Sequence, residues 1–408
     1  MRFTFIHAAD LHIDSPFAGL RLKDKDVAQR FADAGRRAVL ALVEEAVTSK
    51  AAFLIIAGDV FDGDWKDVTT GLFFVRAISA LHRAGIPTFI AKGNHDADSL
   101  MSRDLPYPDS VNVFPSDRAT SATLDAYRVA LHGRSFPNRL TGEFVETYPA
   151  RHDGWLNIGV LHTSLDGTRG HDGYAPCTID DLRRFGYDYW ALGHVHAAEI
   201  ISRDPWIVFP GNLQGRNVRE TGAKGAMRVT VDDGRIVDVS PFALDGARWA
   251  HLAIDISDAG REEDVVARIT TTLAGAHHQA EGRPLAVRVT LIGATQLHNQ
   301  LVARRETLED DIRARALQFA DDCWIEQLKI KTAPPPRPAV ALSSIESLDL
   351  DQLLATATED PEFSLLLADL IETIKARLPI ELHDDLLAAD LLKSLPSEAR
   401  ALLTGALS

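Results

Sequence analysis

Five apolar runs, spread over almost 190 positions of a 408-residue chain, each stop at an aspartate, a histidine or an asparagine, most beside a glycine. MRFTFIHAADLHI begins as an alternating strand and breaks at Asp10, with His12 just beyond. AAFLIIAGDV is continuously apolar, as suits a strand buried on both faces, and closes on Gly58-Asp59. IPTFIAKG runs into Gly93-Asn94-His95-Asp96, LNIGVL is followed by His162, and YDYWAL by Gly193-His194-x-His196. Amphipathic helices are expected at 26–50, with Val27, Phe31, Ala34, Ala38, Leu42 and Val43 on one side, and at 68–84. This β-α-β-α-β order predicts a layered α/β domain. In such sheets ligands collect beyond the carboxyl ends of the strands, so the five endings should converge on one rim.

Each ending alone has a plainer explanation. Tight turns favour Gly, Asn and Asp for backbone reasons, and Asp-x-His or Gly-Asp by itself says little. Gly-His-x-His is a stronger signal, because imidazoles on alternate residues of an extended stretch face one side. Only the series of five endings marks a site. Its seven oxygen and imidazole donors, Asp10, His12, Asp59, Asn94, His162, His194 and His196, include no cysteine, which points to hard or borderline divalent ions. Two ions sharing one carboxylate would use that many ligands and still leave open positions, and Asp59, central in the order, is the natural bridge. Two ions about 3.5–4 Å apart clamp a phosphate, lower the pKa of bound water toward ~7 and stabilise in-line displacement. The expected cofactor is therefore a pair of divalent ions, Mn²⁺ first, with Fe²⁺, Zn²⁺ or Mg²⁺ as alternatives. His95 is surplus to the ligand set and is the candidate to protonate the leaving alkoxide or steady the phosphoryl oxygens.

Bulk properties bound the class. Apolar residues are 46% and charged residues 25%, the balance of an ordinary globular protein large enough for two or three domains. The start, MRFTFIHAAD, lacks a signal-peptide pattern, no run is long enough for a membrane helix, and two cysteines suit a reducing cytosol. A cytoplasmic protein without membrane association is expected. The formal charge of −15 argues against a protein that coats nucleic acid. Residues 341–408 carry −9 of it, leaving −6 for the other 340 residues, some of which a metal pair would neutralise.

The chain changes character near Arg248. RWAHLAIDIS, PLAVRVTLIG and WIEQLKIKT read as strands, separated by helices at 262–275 and 296–318. APPPRP, at 333–338, is a stiff proline-rich linker. Residues 343–408 read as helices whose dense leucines would be costly to expose, so they are packed on the body or covered by a partner, or by a second copy in a homodimer. The domain boundaries are 1–247, 248–333, 334–340 and 341–408.

In order and spacing, Asp10-x-His12, Gly58-Asp59, Gly93-Asn94-His95-Asp96, Leu161-His162 and Gly193-His194-x-His196 resemble the calcineurin-like metallophosphoesterase superfamily, over roughly residues 1–245. The resemblance implies a four-layer αββα sandwich with Asp10, His12, Asp59 and His196 on one ion and Asp59, Asn94, His162 and His194 on the other. AADLHIDSPF, AGDVFDGD, YDYWALGHVH and FPGNLQGRN are most similar to the SbcD-like DNA-repair exonuclease branch. That branch implies a small α/β capping domain that contacts DNA and a helical C-terminal segment that docks on an SMC-like coiled-coil ATPase. Residues 248–333 and 341–408 would fill those places.

QGRNVRETGAKG, with Arg216, Arg219 and Lys224, is a candidate DNA-lining loop or simply a flexible connection. Arg103, Arg134, Arg139 and Arg169 are further candidates. Some members of the branch carry a histidine three residues after the bridging aspartate; here Asp62 stands there, where it could orient His95 or sit in solvent. The expected activity is hydrolysis of DNA phosphodiesters by an exonuclease. The alternatives are a phosphoesterase for nucleotides or other small phosphoesters, and a non-catalytic subunit of an ATPase complex.

Overall fold

Phe53, Ile55 and Ala57 face one way from the second strand while Leu54 and Ile56 face the other, and this two-residue alternation sets the layering of the first unit. The computed structural model describes residues 1–15, 25–62, 68–97, 105–138, 145–165, 175–319 and 322–335, together with positions 365, 366, 369 and 373. Most of the proline-rich linker and of the helical segment expected at 341–408 lies outside the described residues, as do Arg103, Arg139 and Arg169. Leu365, Leu366, Asp369 and Thr373 are helical and exposed.

The chain divides into two compact units that part between Trp249 and Ala250. The first holds two six-stranded sheets. One contains β1 (Arg2–Ala8), β2 (Leu54–Ala57), β3 (Thr88–Ala91) and β4 (Val111–Val113), parallel in that order. The other begins with β5 (Thr120–Leu124), β6 (Val129–Gly133) and β7 (Leu156–His162), and continues through β8 (Tyr189–Gly193), β9 (Glu199–Arg203) and β10 (Trp206–Phe209) in the order β5-β6-β7-β8-β10-β9. A hairpin forms from β11 (Gly225–Asp232) and β12 (Arg235–Ala243), with Asp233-Gly234 at its turn, and adds antiparallel to β1. Three short strands, β4, β5 and β9, are additions to the sequence expectation. Their largely part-exposed edge positions carry no apolar run to announce them.

Helix α1 (Lys25–Thr48) and helix α2 (Val68–Arg83) cover the outer face of the first sheet. Ala38, Leu42 and Ala46 of α1 and Phe74, Ile78 and Leu81 of α2 pack there on Ile6, Ile56 and Ile90. Between the sheets Phe5, Ile55 and Phe89 meet Ile158, Val160 and Tyr189. Outside the second sheet Trp190, Leu192, Ile207 and Phe209 pack with Leu182 of α4 (Ile179–Arg184); α3 is the single turn Asn94–Ala97. Each buried Leu, Ile or Phe contributes about 1.5–3 kcal/mol to this αββα sandwich. Gly159 is required in β7 because Trp190 of β8 lies where a Cβ would stand.

The second unit is a three-stranded sheet in the order β13 (Arg248–Asp255), β14 (Leu285–Ala294), β15 (Cys323–Ala333). Val265, Ile269 and Leu273 of α5 (Glu262–Gln279) and Leu308 and Ile312 of α7 (Arg305–Phe319) cover Val287, Leu291 and Leu328. The helix expected at 296–318 is broken at Arg304 into α6 (His298–Ala303) and α7, because Arg304 leaves helical geometry at φ −105°, ψ 20°. Among the described residues no helix is long and apolar enough to cross a membrane.

Candidate metal centre

The loops leaving β1 and β2 run side by side. Asp10 N–H donates to Gly58 O at 2.9 Å, His12 N–H to Asp59 O at 3.0 Å, and Ile13 N–H to Val60 O at 3.0 Å. Along them Asp10 (φ 51°), His12 (φ 41°) and Asp59 (φ 52°) adopt the left-handed region, as does His194 (φ 102°) after β8. Side chains with a Cβ adopt it only under constraint, and such constraint concentrates at functional sites. Here it turns four ligand-type side chains inward. The glycines give the room: a Cβ on Gly58 would strike His162, one on Gly93 would strike the Asp59 carboxylate, and one on Gly193 would strike Ala57 O.

The seven sequence candidates gather at this rim. Asp10, His12 and His196 form one group of converging donor atoms, and Asp59, His162 and His194 a second. In the first, His12 Nε2 lies 3.2 Å from His196 Nε2 and 3.9 Å from Asp10 Oδ1. In the second, His162 Nε2 lies 2.9 Å from Asn94 Oδ1 and 3.3 Å from Asp59 Oδ2. Asp59 Oδ2 also lies 3.8 Å from His12 Nε2, so one carboxylate reaches both groups. His194 and His196 do not share a side as alternate residues of an extended stretch would. The positive φ of His194 sends it to the second group while His196 joins the first.

The protonation pattern calls for cations. His162 Nδ1–H donates to Ala57 O at 3.0 Å, and His196 Nδ1–H donates to Glu220 Oε1 at 2.8 Å. Each ring then presents a bare lone pair on Nε2: that of His196 meets His12 Nε2, which can donate to it, and that of His162 meets the Asn94 and Asp59 oxygens, which are acceptors. Acceptors at these distances repel unless positive charge lies between them. Without an ion His162 would have to hold a second proton. Burial opposes that proton, but the charge and hydrogen bond of Asp59 prevail and push its pKa up to about 9. Burial likewise works against ionised Asp59, yet His162, His12 and His95 outweigh it and hold the carboxyl well below its usual range. Bound metal supplies the same charge in place of a proton. Two oxygen- and imidazole-rich groups sharing a carboxylate therefore fit a pair of divalent ions.

Beside the groups, Asp62 Oδ1 lies 3.2 Å from His95 Nδ1, 3.3 Å from His12 Nδ1 and 3.3 Å from Arg216 Nη1, while Ser15 Oγ–H donates to its Oδ2 at 2.6 Å. Burial disfavours its charge, but the His12 and His95 hydrogen bonds and Arg216 depress its pKa strongly. His95 is held by its own N–H, which donates to Asp59 Oδ1 at 3.0 Å, and its ring stands edge-on to His12 with centroids 5.1 Å apart. Arg216 thus belongs to the rim. Arg219 is exposed, and Lys224 Nζ donates to His196 O at 2.9 Å, bracing the loop.

Two residues here escaped sequence reasoning. Glu220 orients His196, and its Oε2 accepts from Asn212 Nδ2 and Arg216 N–H at 2.7 Å each, an arrangement that fixes a ligand's tautomer. Nothing local to RNVRE signals this. Asp96 accepts from Val60 N–H (3.1 Å), Phe61 N–H (2.9 Å) and Gly93 N–H (3.0 Å), clamping the loops after β2 and β3. Burial, then the charge of Asp59, pushes its pKa up to about 6. Its signal was present as the fourth residue of Gly93-Asn94-His95-Asp96.

The profile of the calcineurin-like phosphoesterases matches residues 3–198, and that of the middle domain of metallophosphoesterase YhaO matches residues 249–333. Over 411 aligned residues the chain is 30% identical to the uncharacterised metallophosphoesterase YhaO of Bacillus subtilis, covering 98% of this chain and 97% of that protein. It is 26% identical to the DNA double-strand break repair protein Mre11 of Aeropyrum pernix, over 64% of this chain and 66% of that one. It is 25% identical to the protein of the same name from Methanopyrus kandleri, over 64% and 61%.

Proposed function

This chain belongs to the calcineurin-like metallophosphoesterases, and on that premise we propose that it hydrolyses DNA phosphodiester bonds as an exonuclease in DNA repair. The observation that carries the proposal is the Asp59 carboxylate, within 3.8 Å of His12 Nε2 on one side and 3.3 Å of His162 Nε2 on the other, with His95 at its shoulder. DNA as substrate is supported by the two relatives named as break-repair proteins, whose likeness extends past the profile match.

Asp10, His12, Asp59 and His196 would hold one divalent ion and Asp59, Asn94, His162 and His194 the other, Mn²⁺ being the proposed metal. When bound, such a pair supplies Lewis acidity toward phosphoryl oxygens and makes water acidic enough to attack near neutral pH. The chain's own residues do the rest. Asp62 takes the Nδ1–H of His95, which leaves Nε2 to pass a proton to the departing sugar oxygen. Burial favours neutral His95, but the Asp62 hydrogen bond and the Asp59 and Asp62 charges prevail and raise its pKa. Arg216, braced on Asp62, adds positive charge at the rim, and Arg219 and Lys224 extend the same loop. Residues 248–333 are proposed as the capping, DNA-contacting domain. Residues 341–408, beyond the linker at 334–340, are proposed to dock on an SMC-like ATPase or a second copy, in the cytoplasm.

The test pairs end-labelled DNA and Mn²⁺ with His95→Ala. The variant should lose about 10²–10⁴-fold in rate, the usual worth of a general acid, with metal content unchanged by elemental analysis. Cleavage of bis-p-nitrophenyl phosphate but of no DNA would replace this substrate with small phosphoesters.

A further inference from the structure

A cavity of about 410 Å³ opens in the first unit at the amino-terminal ends of β7, β8 and β10, with Leu156, Asp188 and Trp206 in its wall. The metal-ligand rim lies at the opposite ends of β7 and β8, roughly 15–20 Å away at ~3.3 Å per residue. The cavity is therefore separate from the candidate active site, and its size is that of a small-ligand pocket.

Its charge is unusual for a chain of net −15. Four arginines reach it from four elements: Arg151 from the loop before β7, Arg183 from α4, Arg203 from β9 and Arg235 from β12. Its acids are Asp188 and Asp204, and Asp188 Oδ2 already accepts Asn157 N–H at 2.8 Å. Arg151 Nη1 donates to Gly186 O at 2.8 Å, which has a structural purpose. Arg183 is tied to Asp180 at 3.0 Å, an exposed pair that yields readily. Arg203 lies over the Trp206 indole, 5.2 Å from its centroid. Neither Arg203 nor Arg235 has a carboxylate partner among the described residues. Four guanidinium groups nonetheless converge on one cavity that holds two carboxylates.

We propose that this cavity binds a nucleoside phosphate. Guanidinium forks match phosphate oxygens two at a time, and Arg203, held over the Trp206 indole, offers a guanidinium plane on which a base can stack. The same chemistry is carried by a free nucleotide and by a strand of nucleic acid. The site does not depend on the metal centre or on its proposed substrate.

The experiment uses the full chain in EDTA, with anisotropy of a mant-labelled ADP in one arm and a fluorescein-labelled dT pentamer in the other. Saturable binding in either arm is expected, and the tighter arm names the source. Arg203→Glu with Arg235→Glu should weaken it at least about tenfold, the worth of one charged contact. Arg203→Gln with Arg235→Gln, checked for an unchanged melting temperature, guards against a folding defect. No binding in either arm, binding by both variants as tight as by the wild type, or equal displacement by oligoglutamate of matched charge would overturn the proposal.

Discussion

His7 sits between the two sheets with no exposure. Its Nδ1 accepts from the Tyr189 hydroxyl at 3.0 Å and its Nε2–H donates to Leu192 O at 3.1 Å. Burial pulls its pKa down to about 3, so the folded protein keeps it neutral where an unfolded chain would protonate it. Its contribution is whole above the ordinary histidine value of about 6.5 and is lost as pH falls from there toward 3. From pH 8 to pH 5.5 the loss is on the order of 1 kcal/mol. Urea unfolding of wild type and His7→Gln at both values should show that difference in slope, and equal slopes would refute it. Glu220 makes a second prediction at this scale. Glu220→Gln keeps its volume but removes the charge that holds His196 Nδ1–H, and should weaken metal binding about 10–100-fold. Titration with Mn²⁺ followed by calorimetry measures it.

At the scale of elements, the rim is set by strand ends that touch across the sandwich. Gly193 closes β8 opposite His162 of β7, and a Cβ there would collide with Ala57 O at the end of β2. Gly193→Ala must therefore push the two sheets apart where both metal groups join. Overpacking of this kind costs about 1–3 kcal/mol; a fall in melting temperature together with loss of bound metal is expected, and a stable, fully loaded variant would count against it. The long elements of the sandwich were legible because burial imprints period two on β2 and period three to four on α1 and α2. The edge strands β5 and β9 were not, since half-exposed positions impose no apolar pattern. The break at Arg304 left no glycine or proline to mark it.

For the whole molecule, candidate ligands drawn from the ends of β1, β2, β3, β7 and β8 would make a bound metal a tertiary staple. A metal that binds only the folded state, at free concentration about 100 times its Kd, adds about 2.7 kcal/mol, or roughly 5–10 °C for a unit of this size. Calorimetric melting with Mn²⁺ and with EDTA should show this rise, and Asp59→Asn should abolish it.

Residue type and order by themselves determined which side chains are candidate metal ligands and which layers enclose them, because donor chemistry and strand periodicity are local properties. The division of His194 and His196 between two groups, the meeting of Asp62 with His95, and the support of His196 by Glu220 depend on backbone angles and on distances across the fold. Only the tertiary structure decided those, since no local pattern records what another strand brings alongside.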